Sequence, residues 1–134
     1  MNVMLSSVSR KVSLCRTWMS AVSAHGGPLV VADMNPNCAG MYEGDDSVQL
    51  PSLDNSKFKS VLKTACFKFD VKLVVPTRDE EVSAFADWKE EFAKDGITLL
   101  APSKETVLVC QDKVIFADWC RTHGFKVAPI VDVR

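Results

Sequence analysis

Lys72-Leu73-Val74-Val75-Pro76-Thr77-Arg78-Asp79-Glu80-Glu81 is an apolar run that stops at a proline and turns at once into charge. Leu73, Val74 and Val75 are consecutive and apolar, with no polar alternation, which suits a strand covered by helices on both faces. Pro76 cannot donate to a sheet ladder, so the strand ends there and Thr77, Arg78, Asp79 and Glu80 fall at its carboxyl end. In open parallel sheets that edge is where ligands bind. Asp79 and Glu80 also suit the first turn of the next helix, which favours acids.

The same pattern recurs on either side. Val3, Met4 and Leu5 form a first apolar run, Ser6-Ser7-Val8-Ser9 supplies candidate helix caps, and Val8, Val12, Cys15, Met19 and Val22 recur at steps of four and three. Gly26 and Gly27 stop that helix. Leu29 to Ala32 is a second uniformly apolar strand, ended by Asp33 at the ligand edge and followed by Asn35-Pro36-Asn37 as turn chemistry. Cys38 to Asp46 reads as a short helix and loop, and Ser47 to Leu50, closed by Pro51, as a short edge strand. Phe58, Val61, Leu62, Ala65, Cys66 and Phe69 mark the clearest helix, which delivers the chain to the run quoted first.

Beyond that run, Val82, Phe85, Ala86 and Phe92 mark an amphipathic helix ended at Gly96, and Ile97 to Ala101 a further strand. Pro102-Ser103 opens a helical stretch reaching Gly124, interrupted by Gln111-Asp112-Lys113. Asp112 could cap a fresh helix there, or the stretch could be one straight helix of about twenty residues with Lys113 on a solvated face. Phe125 to Val133 reads as extended. Strands and helices thus alternate about five times, which defines a three-layer α/β domain over residues 1–134 with a mostly parallel sheet of order 3-2-1-4-5.

A net charge of -1 gives the chain no field with which to draw nucleic acid or anionic membrane. Nowhere do about eighteen apolar residues follow one another, and no apolar segment stands behind a basic start, so neither a membrane span nor a signal peptide is expected. The five cysteines, Cys15, Cys38, Cys66, Cys110 and Cys120, lack any Cys-x-x-Cys spacing. They read as small buried apolar residues in a reducing cytoplasm.

Several chemistries lack their residues. No His-x-x-x-His or Cys/His cluster exists for a transition metal, and no Gly-x-Ser-x-Gly elbow for a serine hydrolase. His25 and His123 both stand beside glycines at helix ends, poor places for a general base. A phosphate loop of the Gly-x-x-x-x-Gly-Lys type is missing. Asp33 could hold a ribose hydroxyl, but the glycine fingerprint of dinucleotide folds does not precede it. What remains is a row of polar residues at strand ends: Ser7, Arg10, Asp33, Arg78, Asp79 and Glu80 among them.

Three pieces of the chain resemble the amino-terminal domain of ATP-grasp ligases, the pre-ATP-grasp domain of carbamoyl-phosphate-synthase-like carboxylate–amine ligases. They are the opening strand running into Ser9-Arg10-Lys11-Val12-Ser13-Leu14, the segment Val75 to Glu81, and Ser103-Lys104-Glu105-Thr106-Val107 followed by Cys110-Gln111-Asp112-Lys113 and Gly124 to Pro129. Their order and spacing cover nearly the whole chain. In this family the Asp-Lys pair opens a helix whose lysine reaches the phosphates of ATP, which the resemblance places at Lys113. Arg78 would hold a substrate carboxylate bidentately and Asp79 and Glu80 a substrate amine, with Ser7, Arg10 and Asp33 as further substrate contacts.

The chain departs from the family in two ways. The usual glycine of the first loop is replaced around Val8-Ser9. The ATP lid and the magnesium-binding catalytic domain would follow residue 134, so ATP and magnesium belong to a longer parent enzyme and this chain alone is expected to be inactive. An apolar patch left for the missing domains could promote a homodimer. Two rival readings are a stand-alone flavodoxin-like binding module without ligase activity and a dehydrogenase-like Rossmann domain.

Overall fold

The computed structural model describes residues 1–129, which fall into two compact units, Met1–Ala101 and a second beginning at Pro102. The first unit holds a five-stranded sheet of order β3-β2-β1-β4-β5. In chain order its elements are β1 (Asn2–Ser6), α1 (Val12–Ala24), β2 (Leu29–Asp33), a 3-10 turn (Ala39–Tyr42), β3 (Asp46–Gln49), α2 (Phe58–Lys68), β4 (Val71–Pro76), α3 (Asp79–Ala93) and β5 (Thr98–Leu99). All four strand pairs are parallel, and Leu5 of β1 stands between Val31 of β2 and Val75 of β4.

The uniformly apolar strands are explained by what covers them. Side chains alternate across a sheet, so consecutive apolar residues serve both faces. Val3, Leu5, Leu29, Val31 and Val75 pack with Cys15 and Val22 of α1, whereas Met4, Val30, Ala32 and Val74 pack with Phe58 and Leu62 of α2 and Phe85 and Phe92 of α3. One helix therefore covers one face and two helices the other. The chain changes faces between β3 and β4, so the strand order reverses between β1 and β4 and leaves a crevice at their carboxyl ends.

Element boundaries differ from the sequence expectation at several places. Helix α1 begins at Val12, and its N-cap Lys11 makes no side-chain cap. Val8 lies in a loop, fully buried, because the backbone turns through left-handed Ser7 and Ser9 before the helix starts. The expected strand Ile97 to Ala101 keeps only Thr98–Leu99 in the ladder. The buried line of α3 runs through Glu81, Phe85 and Phe92 rather than through Val82.

The second unit is built from α4 (Lys104–Gln111) and α5 (Lys113–Thr122). The two-helix reading holds. Asp112 ends α4 and caps α5, its Oδ1 accepting from Val114 N at 2.8 Å and Ile115 N at 3.0 Å. Ser103 caps α4 by accepting from Thr106 N. Residues 125–129 are irregular, and the remainder of the stretch expected to be extended lies outside the described residues.

All five cysteines are free, but they are not uniformly buried: Cys15, Cys66 and Cys120 are, Cys38 is half-buried and Cys110 is exposed. Burial pushes the Cys66 thiol up to about 12. Among the described residues no helix is long and apolar enough to cross a membrane.

Candidate functional site

The loop after β1 is fixed by backbone bonds to its neighbours. Val8 N donates to Ala32 O, and Ser9 O accepts from Gly40 N at 2.8 Å. Ser7 has φ 55° and Ser9 φ 42°, the left-handed region that glycine enters without cost. The backbone thus keeps a conformation suited to glycine where the sequence supplies serine. Gly40 is needed beneath it, since a Cβ there would sit 2.8 Å from the Cβ and Cγ2 of Val8. Asp33, at the end of β2, holds the same loop: Ser9 N donates to its Oδ2 at 2.7 Å and Asn35 N to its Oδ1 at 2.9 Å. Both oxygens of the candidate ribose acid are therefore bound by the protein's own amides.

Across the crevice, the loop between β4 and α3 is laced to the first. Ser6 Oγ and Ser7 Oγ each donate to the Glu81 carboxylate at 2.8 Å. Thr77 Oγ1 lies 2.8 Å from Ser6 O and 2.7 Å from Ser7 O, with its single proton between them. Lys11 Nζ donates to Thr77 Oγ1 at 3.0 Å and to Ser7 O at 3.1 Å. Glu81 is only 2% exposed. Burial pushes its carboxyl above the usual carboxylate range, against the pull of the Ser7 and Ser6 hydroxyls, the Arg78 guanidinium and Thr77 N–H.

A cavity of about 230 Å³ opens at this edge, walled by residues that follow β1, β2, β3 and β4. Ser7, Asp33, Arg78, Glu80 and Glu81 line its polar side, and Met34, Leu50, Leu53 and Phe58 its apolar side. Of the residues singled out from the sequence, Ser7, Asp33, Arg78 and Glu80 come together here, whereas Arg10 and Asp79 are not in the wall. Arg78 Nη2 lies 3.2 Å from Glu80 Oε1. That hydrogen bond holds the guanidinium above its ordinary pKa. The backbone N–H of Glu80 and then Arg78 hold the Glu80 carboxyl below its own.

Ser52, Asp54 and Glu81 are polar wall residues that sequence reasoning did not select, and the buried one among them is Glu81. Its signal is helical spacing: Glu81, Phe85, Trp88 and Phe92 follow one another at steps of four, three and four, so the acid shares the face that packs on the sheet.

Lys113 stands in the first turn of α5, exposed. The amides of Val114 and Ile115 at this helix end are already taken by Asp112, so the lysine ammonium is the cationic group offered to a phosphate there. Among the described residues no three His, Cys, Asp or Glu side chains are placed to hold a metal ion.

An open, parallel, doubly wound sheet with a polar cavity at its switch point defines an α/β domain of Rossmann-like class. The model of the PylC-like N-terminal domain matches residues 3–100, and the chain belongs to that family. It is of the kind that forms the amino-terminal domain of ATP-grasp carboxylate–amine ligase-like proteins. No curated protein matches it in sequence. Among solved structures, the biotin carboxylase domain of a single-chain bacterial carboxylase is 20% identical, with a TM-score of 0.65 over 96% of this chain and 30% of that one. N5-carboxyaminoimidazole ribonucleotide synthetase from Thermotoga maritima is 14% identical, with a TM-score of 0.59 over 92% and 31%. N5-carboxyaminoimidazole synthetase from Staphylococcus aureus, complexed with ADP, is 13% identical, with a TM-score of 0.64 over 98% and 32%. The chain spans about a third of the length of these structures.

Proposed function

We propose that the chain is the substrate-binding domain of an ATP-dependent carboxylate–amine ligase and that it does not catalyse alone. The observation that carries this reading is the cavity at the carboxyl edge of the sheet, in a chain of this family, with a guanidinium and several carboxylates in one wall. Arg78 binds the substrate carboxylate in place of Glu80; an exposed, solvent-screened pair of this kind contributes little to stability, so the exchange is easy. Glu80, freed by that exchange, receives the substrate amine, with Asp79 beside it. Ser7 lines the site, Asp33 acts through the loop it holds, and Arg10, outside the wall, is left without a contact in this reading.

In the ligase reaction a carboxylate is activated as an acyl phosphate and an amine then attacks it. ATP supplies the phosphoryl group, with Lys113 contacting its phosphates. In this reading the lid and the magnesium ligands are supplied by other domains of the enzyme. Titration of the chain with small amino-carboxylates, followed by amide NMR shifts, tests the assignment. Shifts are expected at Ser7, Asp33 to Asn35 and Arg78 to Glu81, and Arg78→Ala should weaken binding about tenfold, as loss of a charged hydrogen bond implies. Shifts confined to other parts of the sheet, or binding unchanged in Arg78→Ala, would remove the role given to this residue.

A further inference from the structure

We propose that the open edge of the sheet beside β3 is a docking groove for an extended acidic segment of a partner protein, which adds to β3 as a further strand. The inference stands on the first unit alone and is independent of the ligase reading.

Strand β3 ends the sheet on its side and pairs with β2 alone. Asp46, Ser47 and Gln49 are exposed and Val48 is half-buried, so the outer backbone groups of the strand stand open. A strand in this position offers unpaired N–H and C=O groups to which an extended chain can add. Although short, β3 carries neither lysine nor proline, the residues that commonly blunt such an edge. The opposite edge, β5, keeps only Thr98–Leu99 in the ladder and offers less.

A groove runs beside this edge. One part, of about 400 Å³, lies between Ser47 to Gln49 and the Val61, Thr64 and Lys68 side of α2, with Phe69 at its end. A second part, of about 310 Å³, continues past Leu50 and Pro51 to Asn55 and Lys57. The two share Gln49 and Val61 and form one channel along the strand.

Charge and spacing define the occupant. Lys57, Val61, Thr64 and Lys68 recur at steps of four, three and four, so they make one stripe of the helix with a lysine at each end. The two lysines stand about three turns, roughly 16 Å, apart. Neither makes an ion pair among the described residues, and no acid stands in the groove wall. Asp70, next to Phe69, is paired with Lys72. The Lys68 ammonium lies 4.6 Å from the centre of the Phe69 ring, at the end of the groove.

An extended chain advances about 3.3 Å per residue and turns alternate side chains to one face, so residues i and i+4 lie about 13 Å apart on the side toward α2. Two acids at that spacing reach both lysines, whose flexible stems span the difference. The residue between them, at i+2, meets Val48, Val61 and Phe69, which selects an apolar side chain. A basic segment would meet two like charges instead.

The test uses the whole chain and two capped peptides, acetyl-Glu-Thr-Val-Thr-Glu-amide and its counterpart with lysine in place of both glutamates. Binding is followed by amide NMR shifts at millimolar peptide and low salt, where exposed charges are least screened. The acidic peptide should shift Asp46 to Gln49 and Val61 to Phe69 together and bind about tenfold tighter than the basic one. In the double variant Lys57→Glu, Lys68→Glu the preference should reverse, with an unchanged circular dichroism spectrum. Equal binding of the two peptides by wild type, shifts that miss β3, or no shift with either peptide would each overturn the proposal, and none of these readings needs a variant. A double variant that folds and keeps the wild-type preference would overturn it as well. Failure here leaves the ligase reading standing, because that reading rests on shifts at Ser7, Asp33 to Asn35 and Arg78 to Glu81 with a different ligand.

Discussion

Glu81 places a carboxyl 2% exposed among three hydrogen-bond donors, and its ionisation state couples folding to pH. Its folded pKa is raised, so the folded chain holds the proton more tightly than the unfolded one. The stability this contributes is present in full below the ordinary glutamate value of 4.5 and is lost as pH rises through the folded value. Glu80 and Glu91 are shifted down and act in the opposite sense, losing stability as pH falls through their folded values. Glu81→Gln removes only the first effect. The stability of wild type relative to Glu81→Gln, measured by urea unfolding, should therefore fall as pH rises above the ordinary glutamate value of 4.5; a flat or rising difference would show that burial does not raise the Glu81 carboxyl. The acid was legible in the sequence only by its place on a helical stripe, since a carboxylate beside two others at a helix start reads first as a cap. Arg78 and Glu80 were legible because a proline fixes where β4 stops. Asp33 was legible as a strand-end acid but not as a tie for a loop, because its partners are backbone amides that no side-chain pattern announces.

At the scale of elements, the apolar runs of β1, β2 and β4 were readable because a strand covered on both faces needs no polar alternation. The break between α4 and α5 was readable because Asp112 is a strong cap. The start of α1 was not. Ser6 to Ser9 resembles a cap sequence, but tertiary bonds to Ala32, Asp33 and Gly40 hold these residues in a loop and delay the helix to Val12. Gly40 is the neighbour that allows this path. Gly40→Ala puts a methyl against Val8, which is fully buried, and should cost on the order of 1–3 kcal/mol in a thermal or urea melt. An unchanged midpoint would mean that the loop moves aside without loss, and that it does not depend on this close approach.

At the scale of the whole molecule, the proposed ligase reading sets an expectation for how this chain meets ATP. With the amides of Val114 and Ile115 held by Asp112, a nucleotide meets Lys113 and little else at that helix end. Binding by one such group should be no tighter than millimolar, about -4 kcal/mol. Calorimetry on the 134-residue chain should show weak or no ATP binding, and phosphate release assays no turnover. Micromolar binding would mean that the chain carries a nucleotide site of its own.

The lacing of Ser6, Ser7, Lys11, Thr77 and Glu81 bears on how a ligand would be received. Five side chains joined across two loops lose their conformational freedom when the chain folds, so that loss is absent from the later binding step. The polar floor of the cavity is thus preorganised, and recognition there would resemble fitting into a rigid mould more than closing a hand. Selectivity would come at that floor from shape and charge already in place.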